Sequence, residues 1–324
     1  MTRHLIHVGY PKAGSTFLQE WFERHPELRY APGGLGGFHD VYAMCQLPES
    51  SYRYYVTSCE GLSAPHRSTG GLRLEGSGEQ GGLPERIKDA QADVCALLKT
   101  LYPDSRVLVV TRGFRDIILS GYSQYVRNGG VEHLEGMCRR LAGHLGDDAL
   151  HYYDFDYLIR LYAGAFGAEN VIVLPYELLR DDRDRFIAVL EERLGLTHRE
   201  IEIGRVNASL SPEELYWYPV ISRAVRTAAE RLGPARSERV YRWYARRTFD
   251  NRLRPLVGLL ARVKPGRKIT AADFPDELLD HCVGKAELLR DDPLYAPYAA
   301  EYLWDRAPAP VSGVTAAAPP VGGA

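Results

Sequence analysis

Lys12 stands in "GYPKAGST", where Gly9 and Gly14 bracket a single ammonium and the hydroxyls of Ser15 and Thr16 follow. A loop of small residues lets backbone N–H groups face an anion, and a helix opening at its end adds the positive pole of its dipole. That is chemistry for holding a phosphate. The spacing nearly matches GxxxxGK[ST], the loop of nucleoside triphosphatases, but Ser15 stands where the lysine belongs and Lys12 lies inside the loop. A lysine there reaches a phosphate or a bridging oxygen, although it is not the usual ligand of β- and γ-phosphates. The competing account is a plain turn, with Pro11 and Gly14 as breakers and Ser15 or Thr16 as a helix cap.

Three further groups could take part. "VLVVTR" ends in Thr111 and Arg112, with no Asp at the strand end to help hold magnesium, which points to a bare anion bound without metal. "TSCEGLSAPHR" supplies Glu60 and His66, either of which could take the proton of a hydroxyl. Two of them have an ordinary alternative: Arg112 in a surface ion pair with Asp116, and Glu60 as an exposed acid ending a strand. His39, within "GGFHD", reads as a loop histidine.

These residues need elements to position them. "LIHVG" reads as a short buried strand, and "STFLQEWFERHP" carries Phe17, Leu18, Trp21 and Phe22 at helical spacing, so the loop sits between strand and helix. "RYYVTSCEGLS" is a second strand ending near Glu60. A helix near 85–101 leads to "SRVLVVTR", whose unbroken apolar run suits a parallel strand buried on both faces. A helix then begins near Asp116 and stops at Asn128-Gly129-Gly130; "YDFDYLIRLYAGAFG" is helical and "NVIVLPYELL" a further buried strand. The alternation predicts an α/β fold, a P-loop-like, mostly parallel sheet flanked by helices. Glycine- and serine-rich stretches at 31–37 and 67–84 read as mobile loops.

From Glu213 onward only amphipathic helical segments remain, giving a helical C-terminal region. The expected organisation is a core over 1–210, a helical part over 211–305 completing the same domain, and a Pro/Ala/Gly-rich disordered tail over 306–324.

"YPKAGSTFLQ" resembles the 5′-phosphosulfate loop of sulfotransferases that use 3′-phosphoadenosine-5′-phosphosulfate, PAPS. "TRGFRDIILSGYSQYVRNGG" is similar to that family's 3′-phosphate segment, in which an arginine at a strand end and a serine eight positions on grip the extra phosphate. With "VIVLPYELLRDD" the resemblance spans residues 4–182. It implies that Lys12, Ala13, Gly14, Ser15, Thr16 and Phe17 surround the 5′-phosphosulfate and that Arg112 and Ser120 hold the 3′-phosphate. It also implies that Tyr176 lies near the adenine and that Asn207 and Ser209 belong to a late segment close to the cofactor. "SCEGLS" looks like the serine-glutamate segment of bacterial and carbohydrate-directed members, which favours Glu60 as general base with His66 in reserve. One departure is Phe114, where many relatives have proline.

The implied activity is metal-independent transfer of a sulfuryl group from PAPS to a hydroxyl of a carbohydrate or a small secondary metabolite. A small-molecule kinase on a degenerate P-loop, or a nucleotide-binding adaptor without catalysis, are the alternatives. The 324 residues carry a formal net charge of only −2, which does not announce a nucleic-acid binder. Five scattered cysteines lack disulfide or zinc spacing, and no signal peptide or membrane-spanning run is visible, so a reducing cytoplasm is expected. Between Arg223 and Lys268, fourteen Arg and Lys face only Glu230, Glu238 and Asp250. Something anionic, a substrate or a membrane surface, could dock on that helical stretch.

Overall fold

A computed structural model describes residues 3–30, 52–63, 87–143, 153–204 and 210–306. His39, His66, Asn207, Ser209, both glycine-rich stretches and the tail from 307 onward lie outside them. The strands are β1 (Arg3–Gly9), β2 (Leu28–Tyr30), β3 (Tyr54–Cys59), β4 (Arg106–Thr111) and β5 (Val171–Pro175). They form one parallel sheet in the order β2-β3-β1-β4-β5. The two central strands show why: Leu5, Ile6 and Val8 in β1 and Val107 through Val110 in β4 are fully buried, as a sheet covered on both faces demands.

Register aligns the strand ends. Val8 pairs with Cys59 and Gly9 with Val110, so β1, β3 and β4 all end at one edge of the sheet. The chain moves from β1 to one side for β2 and β3 and returns to the other side for β4. Such a reversal opens a crevice at the carboxyl ends beside β1, where α/β folds bind ligands.

Helices α1 (Ser15–Arg24), α2 (Ile87–Leu101), α3 (Phe114–Arg127), α4 (Leu134–Gly143), α5 (Phe155–Phe166), α6 (Tyr176–Asp181) and α7 (Arg183–Leu194) follow the strands. The apolar spacing read in the sequence is the buried face: Phe17, Leu18, Trp21 and Phe22 in α1, and Phe114, Ile117, Ile118, Tyr122 and Val126 in α3. Helix α3 starts at Phe114 rather than near Asp116. "NVIVLPYELL" is not one strand either: β5 stops at Pro175, which has no N–H to continue a ladder, and "YELL" begins α6. Helices α4 and α7 were not anticipated.

The C-terminal region holds α8 (Pro212–Glu230), α9 (Pro234–Phe249), α10 (Arg254–Ala261) and a short α11 (Asp276–Asp280). A reciprocal pair of bonds between Ser211 and Glu214, with Pro212 in the first turn, starts α8. Both α9 and α10 pack on it. Beyond α11 the chain runs in tight turns that send Tyr295, Tyr298, Tyr302 and Leu303 into the same core as the sheet. Among the described residues no helix is long and apolar enough to cross a membrane.

Candidate active site

The loop after β1 is held in an uncommon backbone form. Lys12 has φ 69° and Gly14 has φ 84°, both left-handed, and the Ala13 N–H donates to the Tyr10 carbonyl at 3.2 Å. For lysine that conformation costs on the order of 1 kcal/mol, and strain of this kind gathers at functional loops. Both glycines are sterically required. A Cβ on Gly14 would lie 2.7 Å from Leu179 Cδ2 and 3.2 Å from Tyr176 Cδ2; one on Gly9 would lie 2.8 Å from Ser15 Oγ. Ser15 Oγ is buried and has no hydrogen-bond partner at the N-terminus of α1, where the helix dipole is positive. Ala13 and Phe17 are buried, and Phe17 lies beneath the Arg183 guanidinium at 5.1 Å. Thr16 is exposed in the first turn.

The second turn, after β4, reaches the first. Arg112 Nη1 donates to the Lys12 carbonyl at 2.6 Å, its guanidinium lies over the Tyr176 ring at 4.4 Å, and its Nε is buried without a partner. The anticipated ion pair with Asp116 is long, 3.9 Å, and the same Asp116 oxygen lies 2.9 Å from Arg180 Nη1. Arg180, not Arg112, is the closer partner of Asp116.

That turn is locked from two sides. The Gly113 N–H donates to Glu177 Oε1 at 2.8 Å, and the Phe114 N–H donates to the Glu301 carbonyl at 2.9 Å. Phe114 is fully buried and stacks on Phe155 at 5.0 Å. A proline there would have no N–H for Glu301, which accounts for the departure noted in the sequence. Burial pushes the Glu177 carboxyl above its ordinary range, against the opposing pull of the Gly113 N–H and Tyr302 hydroxyl. Thr111 Oγ1 is held by Tyr295 and Tyr302 at 2.8 and 2.9 Å, so the C-terminal segment also clamps the end of β4.

Glu60 opens a tight turn, Glu60–Leu62, at the end of β3. Ser63 Oγ donates to the Gly9 carbonyl at 2.8 Å, which ties this turn to the phosphate-type loop. Burial lowers the pKa of Lys12; Glu60 opposes that shift, while Arg127 and Arg112 add to it. The ammonium therefore shares one electrostatic neighbourhood with a carboxylate and two guanidiniums, an excess of positive charge that suits an anion. Arg127 was not singled out from the sequence. It follows Ser120 by seven positions on α3, a spacing that puts both on one helix face, so the signal was present. Ser120 is half-buried on that helix.

One nearby group is a support rather than a site. His7, fully buried in β1, bonds Ser58 Oγ at 2.8 Å, and burial lowers its pKa to about 3, so it stays neutral.

No protein-family model matches this chain, and no curated protein matches it. Among solved structures it is similar to a sulfotransferase from Alicyclobacillus acidocaldarius, at 15% identity and a TM-score of 0.44, covering 69% of this chain and 94% of that one. It is also similar to a mouse sulfotransferase complexed with PAP, at 15% identity and a TM-score of 0.37, covering 68% and 63%. Likeness this distant says nothing of what this chain binds, and the functional reading stands on its own side chains.

Proposed function

We propose that the protein transfers a sulfuryl group from PAPS to a hydroxyl of a carbohydrate or small-molecule acceptor. The observation that carries this reading is the meeting of two strand-to-helix turns, with the Arg112 guanidinium on the Lys12 carbonyl and Glu60 in the electrostatic range of the Lys12 ammonium. Two cationic turns suit a nucleotide with an anion at each end. The orphaned Ser15 Oγ and Arg112 Nε are donors in want of an acceptor, which fits such a ligand.

The roles are those that the resemblance implies. The amides of Gly14, Ser15 and Thr16 face the 5′-phosphate, with Ala13 and Phe17 shaping the loop around it; Arg112 and Ser120 take the 3′-phosphate, and Tyr176 lies beside the adenine. The acceptor oxygen bonds to sulfur as the bond from sulfur to the bridging oxygen breaks, and Glu60 receives the hydroxyl proton. Lys12 neutralises the negative charge that appears on the bridging oxygen, so the bisphosphate leaves without a metal. His66, in reserve as base, lies outside the described residues.

Calorimetric titration with 3′,5′-adenosine bisphosphate beside ATP and AMP tests the reading. Tight binding of the bisphosphate alone, lost in Arg112→Ala, is the expected result. Preference for ATP with magnesium, and its turnover, would make the protein a kinase; bisphosphate binding without sulfuryl transfer to any screened hydroxyl would make it an adaptor.

A further inference from the structure

The basic stretch is built as two amphipathic helices: α9 sets arginines beside bare aromatic side chains, and α10 exposes leucine. On α9, Tyr244 and Thr248 are buried, Tyr244 bonding Ser222 Oγ at 2.8 Å, and Tyr241 donates to the Gly129 carbonyl. The opposite face carries Arg236, Arg239, Arg242 and Arg246, with Trp243 among them, 58% exposed and covered on one side by the Arg247 guanidinium at 4.2 Å. Helix α10 buries Val257 and turns outward Leu256 and Leu259, three apart on one side; Val263, in the turn just beyond the helix, is 85% exposed. Phe249 stands exposed where the two helices meet.

Few acids answer these arginines. Arg242 lies 3.5 Å from Glu238 and Arg252 lies 3.6 Å from Asp250, while Arg254, itself exposed, is held 2.8 Å from the buried Glu214. A partner for this surface must supply negative charge spread over an area and an apolar layer just beneath it. Anionic lipid headgroups over acyl chains do both, and arginine with Trp and Leu on an in-plane helix is the pattern that such an interface selects. We infer that α9 and α10 dock the protein on an anionic bilayer surface, with Trp243, Phe249, Leu256, Leu259 and Val263 entering the headgroup boundary. This docking is independent of the proposed reaction.

Co-sedimentation with vesicles of phosphatidylcholine alone, or mixed with phosphatidylglycerol, reads the docking without any activity assay. The full-length protein is expected to sediment with the mixed vesicles and not the neutral ones. Binding should fall about fivefold for each of Arg239→Gln and Arg246→Gln, and about tenfold or more in Leu259→Asp with Val263→Asp. Both substituted leucine and valine positions are exposed, so thermal melts should be unchanged. Three results would overturn the inference: no sedimentation with mixed vesicles; sedimentation unchanged in the Leu259→Asp, Val263→Asp protein, which marks a purely electrostatic contact; or a solution dimer abolished by those substitutions, which makes a second copy the occupant.

Discussion

The two ends of the central sheet both gather arginines, yet only one end is suited to an anion. At the amino ends, Arg3, Arg53, Arg106 and Arg193 line a cavity of about 410 Å³. There Arg53 donates to the Gly195 carbonyl and Arg106 to the Arg193 carbonyl, at the C-terminus of α7, where the helix dipole is negative. Arg53 also has Glu27 at 3.8 Å and Arg193 has Asp292 at 3.6 Å. At the carboxyl ends, Arg112 donates to the Lys12 carbonyl, and Glu60, Arg127 and Arg112 all bear electrostatically on the Lys12 ammonium, beside the N-terminus of α1, where the dipole is positive. Residue type is shared; the polarity of the neighbouring helix end separates a cap from a candidate anion site.

The sharpest way to break this contrast is at Lys12. Lys12→Ala should lower kcat for sulfuryl transfer by about 10²- to 10³-fold while bisphosphate affinity changes little, read by steady-state kinetics beside calorimetry. A comparable loss in both would place Lys12 in ground-state binding. Arg112→Ala comes next: removing a charge-assisted contact should weaken the bisphosphate by roughly tenfold to a hundredfold and leave AMP nearly unaffected. Arg106→Ala is the matched control at the other edge. It should cost about 2 kcal/mol of stability in a denaturant titration with bisphosphate affinity intact, and any loss of nucleotide binding there would dissolve the distinction between the two ends.

The smallest effect is a pH dependence. Burial holds His4, near the amino end of β1, at a pKa of about 4 and His7, near its carboxyl end, at about 3. The unfolded chain takes these protons first, near 6.5, so their contribution is complete above that pH and is lost as pH falls toward 3. Each should cost about 0.8 kcal/mol at pH 6, and His7→Asn should flatten its share of the acid limb in chemical denaturation. An unchanged limb would mean that His7 is not the group titrating.

Legibility in the sequence followed locality. "GYPKAGST" was readable because strand, left-handed loop and helix start lie within one short run, where glycine positions and apolar spacing are local signals. The parallel sheet, apart from the three-residue β2, and most of its helices were readable for the same reason. The neighbours of Arg112 were not: Glu177 and Glu301 arrive from 65 and 189 positions downstream to set its turn, and no local pattern ties them to "TRGF". Arg254 shows the converse error, since composition grouped it with a docking surface while contact with buried Glu214 makes it structural.

By itself, the order of apolar runs and breakers determined that this chain would make strands that end in loops opening helices, because backbone propensity and burial period act over a few residues. Which of those loops would meet was decided only in three dimensions. Strand order and register set β1, β3 and β4 side by side, and the long-range bonds of Glu177 and the C-terminal tyrosines then aimed one guanidinium at a loop a hundred residues away.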